Sequence, residues 1–491
     1  MKRRMSIYQI SFVLIAIMTM IGSAHGAEKN YWKVVYSASS TEGGSSGSSL
    51  LNDMGQITGQ LTGGNAYCGS VDDPNYYDVF GKFGASWELG ISDHLADAKK
   101  SGEIKSAPMR KSPMRTQKIA ELISSPGISL KAPFKPEASI TLPDSQITKA
   151  HQEFEIQSAA AGKRKVIGVH IDTPQFSAVT WERLTDDLGN QSWRTAIKAP
   201  KAKSLRLHFA KFQPGADDQV IVYSEFLPET ARRVRPTRTA TTSDFWGPVT
   251  MGDLVFLEVI TKSATPPMIV VDKISYAVKD MFSADDFLKV GDCYLDPNCY
   301  PDWNIVKNAI GQMIFEYDGG QAVCTGTLIT DVAGSYEPFF FSANHCFHSD
   351  AAADSLTVTF FWYTDACNGS ADDWQNVQTY TEGSQVLMHS STTDALLLRL
   401  DQDPPNGAVF LGWDANDNLE LNDDISVLHH PAGTYMRISF GYISGESDGS
   451  EVDLGDDDDD DDNDDDLDDD NGGGSSGDDD DDDECGIICG G

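Results

Sequence analysis

The chain has 491 residues, 37 lysines and arginines against 75 aspartates and glutamates, and a formal charge of −38. That length leaves room for two or three domains. About half of the acidic excess lies in one tail, Asp456 to Glu484, so the net charge does not describe the remainder, and a strongly basic, nucleic-acid-binding class is excluded.

Met1 to about Gly26 reads as a secretory signal. Lys2, Arg3 and Arg4 form its charged start, Ile10–Ile21 is an apolar run too short to span a bilayer, and Ala24-His25-Gly26 offers small residues for cleavage. No second apolar run of that kind follows, so an exported protein, secreted or periplasmic and without a membrane anchor after signal removal, is expected. In that setting eight cysteines favour disulfides over metal.

Residues 27–98 read as short strands and glycine turns, closed by a helix from Ile91 to Ala98 with Ser92 or Asp93 as its N-cap. Residues 99–162 are rich in Pro, Ser and Lys. Lys99, Lys100, Lys105, Arg110, Lys111, Arg115 and Lys118 lack apolar periodicity, which predicts a solvated linker with one short helix near Thr116–Ile123 rather than a nucleic-acid patch. Residues 163–280 carry strand signals at Val166–Ile171, Ser204–Phe209, Gln219–Tyr223 and Leu254–Ile260, the pattern of a β-sandwich. More strands follow in 290–450. Residues 451–491 are low-complexity aspartate that cannot bury a core, so disorder is expected there. A spacer role suits that tail better than a calcium loop, because spaced ligands are missing.

Two stretches carry chemistry. Phe340-Phe341-Ser342-Ala343-Asn344-His345-Cys346 delivers a histidine at the end of an apolar strand. Thr393-Asp394-Ala395-Leu396-Leu397-Leu398 opens a second apolar strand with an aspartate. A serine hydroxyl is a weak nucleophile until an imidazole takes its proton, and the imidazole needs a carboxylate to fix its tautomer. His345 and Asp394 supply base and orienter. The best serine motif, Glu42-Gly43-Gly44-Ser45-Ser46-Gly47-Ser48, precedes them in the chain. A competing serine, Ser476 in Gly474-Ser475-Ser476-Gly477, sits between aspartate runs whose field opposes an oxyanion.

Together with Cys324-Thr325-Gly326-Thr327-Leu328, Leu411-Gly412-Trp413-Asp414 and His429-His430-Pro431-Ala432-Gly433, the histidine and aspartate segments resemble bacterial lysyl endopeptidases of the trypsin-like fold, over roughly residues 290–445. Residues 30–97, with Gly59-Gln60-Leu61-Thr62-Gly63-Gly64 and Asp78-Val79-Phe80-Gly81, resemble the C-terminal part of the same enzymes. The resemblance implies a permuted double β-barrel joined to a sandwich that is a pro- or accessory domain. It implies Ser46 as nucleophile, His345 as general base, Asp394 as its orienter, and the N–H groups of Gly44 and Ser46 as the oxyanion hole. Asp78 then lies at the base of the pocket for a lysine, with arginine as a second basic side chain. Thr62 stands where these enzymes commonly have a histidine. The implied bridges are Cys324–Cys346, Cys299–Cys367 and Cys68–Cys293, leaving Cys485 and Cys489. The expected protein is a monomeric secreted serine endopeptidase acting on protein and peptide substrates with no metal or other cofactor, made as a zymogen and cut after Lys289. The alternative is an inactive protease-like binding protein.

Overall fold

The computed structural model describes residues 29–96, 105–113, 139–160, 164–173, 181–185, 191–224, 231–236, 243–279, 293–377 and 379–450. The signal, Lys289, Ser476, Cys485, Cys489, the acidic tail and the helix expected near Thr116–Ile123 lie outside them. Among the described residues no helix is long and apolar enough to cross a membrane.

The strand signals resolve into an all-β double barrel with a sandwich beside it. The first barrel is a closed ring of six strands. Four are early in the chain: Tyr31–Ala38, Ser49–Leu51, Ile57–Gly64 and Asp78–Lys82. Two are late: Asp424–His429 and Arg437–Ser447. Ser49–Leu51 closes the ring by pairing with both Asp424–His429 and Ile57–Gly64. Tyr31–Ala38 lies antiparallel to Arg437–Ser447, with Tyr31 opposite Ser447 and Tyr36 opposite Gly441. Trp32, Val34 and Tyr36 alternate along their strand and share one core with Leu50, Leu61, Phe80, Ile425, Val427 and Ile443. Segments some 400 residues apart thus pair strand to strand within a single ring.

The second barrel is open, a half-barrel. Ser384–Ser390, Ala395–Leu400, Phe339–Ala343, Gly320–Leu328, Ile310–Tyr317, Thr357–Phe360 and Tyr380–Glu382 follow one another across its sheet. Its core is clasped by helical turns from the early segment. Phe83 meets Phe341 with ring centroids 5.3 Å apart, and Trp87 lies on Trp413 at 4.3 Å. These turns run from Phe83 to Leu95. The expected N-cap at Ser92 or Asp93 is therefore corrected: the helical turn Ser92–Leu95 begins at Ser92 itself, its preceding residue Ile91 is already helical, and no side chain caps it. Phe83, Trp87 and Ile91 along these turns are buried.

The sandwich faces Lys165–Asp172, Ser204–Gln213 and Met268–Ala277 against Gln191–Lys198, Leu254–Thr261 and Gln219–Ser224. Val169, Leu205, Leu207, Phe209, Val222, Leu257 and Ile274 fill the space between. Its outer strand, Lys165–Asp172, also pairs antiparallel with Gly320–Leu328, so one sheet runs from the sandwich into the half-barrel. A helix, Asp144–Ala160, packs beside that strand through Ile147, Ala150 and Phe154. It falls within the span that composition alone marks as linker.

Candidate active site

The strand Phe339–Ala343 ends in a turn that presents His345. Its neighbour Ala395–Leu400 begins just after Asp394, whose φ is +54°. That turned backbone sends the aspartate back along the sheet. Asp394 Oδ2 lies 2.7 Å from His345 Nδ1, and Oδ1 accepts the His345 backbone N–H at 2.8 Å. The two carboxylate oxygens therefore fix both the ring and the backbone of one residue. The Thr393 hydroxyl accepts from Ser86 Oγ at 2.8 Å. With Nδ1 held by a carboxylate, Nε2 is the nitrogen left to accept a proton. Nε2 is buried and makes no hydrogen bond among the described residues.

The serine loop belongs to the other barrel and is tied to the half-barrel by backbone. The Ser46 carbonyl accepts the Thr325 N–H at 2.8 Å, and the Gly44 carbonyl accepts the Thr325 hydroxyl at 2.9 Å. Cys346 Sγ, on the residue after His345, lies 3.9 Å from the same Ser46 carbonyl. Gly44 has φ +99°, and a Cβ there would sit 2.6 Å from the Gly433 nitrogen, so only glycine fits. Gly47 has φ +81° and would drive a Cβ into the Ser342 hydroxyl.

The loop's support was not read from sequence. His429 lies 2.7 Å from Ser45 Oγ through Nδ1 and 3.0 Å from Ser439 Oγ through Nε2. Burial, then His430 and Arg437, hold its pKa down to about 3, so the imidazole is neutral and bridges two hydroxyls. His430, lowered to about 4 by burial, faces the Thr434 carbonyl at 2.8 Å. The adjacent-histidine pattern was visible, but Ser45 comes from the other end of the chain and meets His429 only in the folded barrel.

Asp78 is 2% exposed. Its Oδ2 accepts the Tyr36 hydroxyl at 2.9 Å and also the Thr41 hydroxyl. Burial raises its pKa to about 6, against the lowering effect of the Thr41 and Tyr36 hydroxyls and the Ala66 backbone. It is a desolvated carboxylate on the serine-bearing barrel, not a solvated turn residue. Thr62 is also buried, on the strand beside it.

Disulfides join Cys68 to Cys293, Cys299 to Cys367 and Cys324 to Cys346. The first spans 225 residues and links the early segment to the late one. Cys324, His345 and Cys346 have ligand atoms close enough to surround a metal, but both sulfurs are bonded to each other.

The sequence matches the family described as lysyl endopeptidase, C-terminal domain, over residues 4–81 and 287–477. A lysyl endopeptidase of Pseudomonas aeruginosa is 28% identical over 296 residues, covering 57% of this chain and 63% of the relative. The chain therefore spans less than two thirds of that relative's length. Among solved structures, the full extracellular region of zebrafish Gpr126/Adgrg6 aligns at 11% identity and TM-score 0.15, over 51% of this chain and 35% of that one. A tail fibre protein of an E. coli phage aligns at 8% identity and TM-score 0.13, over 57% and 40%.

Proposed function

The chain belongs to the lysyl endopeptidase C-terminal domain family, and from that membership and the site's geometry we propose that it is a secreted serine endopeptidase cutting after lysine. Ser46 is the nucleophile, His345 the general base and Asp394 its orienter. The N–H groups of Gly44 and Ser46 receive the oxyanion, and Asp78 receives the substrate ammonium. Proteins and peptides are the substrates, and the enzyme works as a monomer without a cofactor. The span 163–280 is its pro- or accessory domain, residues 1–26 its export signal and residues 451–491 a solvated tail.

The observation that carries this reading is the His345–Asp394 pair set against the Ser46 loop, with the loop hydrogen-bonded to Thr325. In the mechanism His345 Nε2 takes the Ser46 proton as Oγ attacks the scissile carbonyl. Asp394 stabilises the imidazolium that forms. The imidazolium then protonates the leaving amine, and water completes hydrolysis through the same base. Asp78 supplies selectivity. An ion pair near 4 Å at an effective dielectric near 20 is worth about 4 kcal/mol before desolvation, which favours a basic side chain over a neutral one. Extending that acceptance from lysine to arginine depends on the room left beside Thr62.

A fluorophosphonate probe tests the reading. Covalent labelling of the wild type and none of Ser46→Ala is expected. Absence of labelling in the wild type, with the fold intact by circular dichroism, would favour an inactive protease-like binding protein.

A further inference from the structure

The loop that carries Ser46 rests on one short segment of the same barrel, residues 429–433. The Ala432 N–H donates to the Gly43 carbonyl at 2.8 Å. A Cβ on Gly44 would stand 2.6 Å from the Gly433 nitrogen and 3.0 Å from the His430 carbonyl oxygen, so loop and segment touch through backbone. Beside that contact, His429 Nδ1 lies 2.7 Å from Ser45 Oγ. Both residues are fully buried, and Ser45 directly precedes Ser46.

Proton counting fixes the direction of each bond. The Ser439 hydroxyl has one proton and donates it to the Ser40 carbonyl at 2.9 Å. Its contact with His429 Nε2 at 3.0 Å therefore needs a proton on the ring nitrogen. Burial, then His430 and Arg437, keeps the ring neutral, so Nδ1 carries no proton and accepts from Ser45. Ser45 Oγ in turn accepts the Glu42 N–H at 3.2 Å. The other tautomer would leave the Ser45 proton unplaced and turn Nε2 onto a lone pair of Ser439. Arg437 lies opposite His429 on the paired strand, and the Tyr294 ring is 6.3 Å away. With His430 these are the titratable and charged groups around the ring, and none of the three is a carboxylate that would hold an imidazolium.

Peptide geometry carries this anchor toward the cleft. In a trans peptide the carbonyl and the next N–H point in opposite directions. The Gly43 carbonyl is turned onto Ala432, so the Gly44 N–H points away from that segment. The Ser45 carbonyl accepts the Ser48 N–H at 3.0 Å and the Ser48 hydroxyl at 2.5 Å, so the Ser46 N–H points away from Ser48. The aim of both N–H groups follows from where the Gly43 and Ser45 carbonyls are held, and Ser45 is held through its side chain by His429.

We propose that His429 is a positioning residue for the oxyanion hole: with its proton on Nε2 it anchors Ser45, and through Ser45 it sets the Gly44 and Ser46 N–H groups toward one point. This rests on the serine-endopeptidase reading above. The ring is fully buried, so it acts through Ser45 rather than on substrate. The support is a neutral relay between two hydroxyls and uses no ion pair.

The test uses the full chain, a small lysine ester as substrate, and 15N-imidazole labelling for magnetic resonance. In the wild type the His429 signal, assigned by its absence from His429→Asn, is expected to show a protonated Nε2 and a bare Nδ1 from pH 8 to pH 5. His429→Leu fills the space but leaves the Ser45 hydroxyl without its acceptor. It is expected to lower kcat about 30-fold with KM within twofold, short of the loss of a whole oxyanion donor. His429→Asn returns an acceptor beside Ser45 and is expected to stay within about fivefold of the wild-type kcat. A role in packing alone predicts the reverse order, Leu above Asn, and that order would overturn the proposal. Wild-type kcat in both variants would overturn it too, as would a proton on Nδ1 in the wild type; the endopeptidase reading survives all three. If His429→Leu does not fold, the wild-type tautomer and Ser439→Ala decide, the latter expected to lower kcat about fivefold. No ester hydrolysis by the wild type would overturn the endopeptidase reading and this proposal with it.

Discussion

In the barrel that carries Ser46 and Asp78, six strands form a ring and each has a neighbour on both sides. In the sheet that carries His345 and Asp394, Gly320–Leu328 meets a strand from another part of the chain, Lys165–Asp172. The ring is completed by strands whose order in the sequence is scrambled but whose pairing is continuous from Tyr31 to Ser447. The open sheet is completed by Lys165–Asp172, whose neighbour Arg164 donates to the His345 carbonyl. An unpaired edge is a template for any extended chain. On the proposed roles the two bodies would do different work: the closed ring would hold the nucleophile Ser46 and the carboxylate Asp78, and the open sheet the base His345, beside a strand-paired edge.

The largest expected effect removes the one group that must cross between these bodies. Ser46→Ala is expected to lower kcat/KM on a lysine reporter by about 10⁴-fold or more, and His345→Ala by a similar amount, without the two adding. Ser476→Ala is expected to leave turnover within twofold. If Ser476→Ala abolished turnover and Ser46→Ala did not, the nucleophile would lie outside the ring and the comparison would break.

Asp78 sharpens it next, because burying its carboxylate in the ring carries a cost. Burial raises its pKa from the ordinary carboxylate value to about 6. A raised acid pKa favours the neutral form in the folded state, so stability is fullest below the unfolded pKa near 3.8 and falls as pH rises to about 6. Above that pH, keeping the charged carboxylate buried costs the fold on the order of 3 kcal/mol. Asp78→Asn is therefore expected to raise the melting temperature at pH 8 while lowering kcat/KM for lysine by about 10³-fold. In the wild type, kcat/KM for lysine should fall as pH drops through about 6. A destabilised Asp78→Asn at pH 8 would mean the carboxylate serves the fold rather than the pocket.

The junction between sandwich and open sheet comes third. Glu316 is buried there, with Arg206 Nη1 at 3.4 Å, His170 Nε2 at 3.0 Å and Gln321 Nε2 donating at 2.6 Å. Burial pushes its pKa up, but the His170 bond and the Arg206 charge outweigh that and hold it below the usual glutamate value. Glu316→Ala leaves the Arg206 guanidinium buried without this partner, an expected loss of about 3–5 kcal/mol in urea unfolding. Glu316→Gln keeps the volume and should lose less. The sign for pH follows: a depressed carboxylate stabilises above its unfolded pKa near 4.5 and loses that contribution as pH falls below it. A wild type whose sandwich stays docked and equally stable well below that pH would show the pair to be idle.

The parts legible in the sequence were those with local signatures. His345 and Asp394 each stand at the edge of an apolar strand, and Ser46 lies in a glycine-flanked serine run. Four of the six sandwich strands followed from alternation, with ends moved by only a few residues, whereas Gln191–Lys198 and Met268–Ala277 were not read. The helix Asp144–Ala160 did carry a signal, Ile147, Ala150 and Phe154 at helical spacing, which the surrounding Pro-, Ser- and Lys-rich composition obscured. The pairing of Lys165 with Val323, the Glu316 cluster and the His429 bridge had none, because each joins segments whose proximity only the folded sheets create. Residue type suggested the chemistry, and register between distant strands decided which groups meet.

The smallest expected effect concerns how tightly the two bodies are held together at the site itself. Thr325 Oγ1 donates to the Gly44 carbonyl at 2.9 Å and accepts the His430 N–H at 3.1 Å. Its own N–H still reaches the Ser46 carbonyl whatever the side chain. Thr325→Val keeps shape and backbone but removes both hydroxyl bonds, each worth about 1 kcal/mol. Because Gly44 is the residue whose amide is assigned to the oxyanion, the loss should appear in kcat, about tenfold, with KM little changed. Ser49 Oγ donates to Thr327 Oγ1 at 2.9 Å, a second tie between the same bodies away from the triad. Ser49→Ala should lower stability by a similar amount and leave kcat within twofold. Equal kcat losses in the two variants would mean that the bodies respond as one block, and that the serine loop's position is set by the whole interface rather than by Thr325.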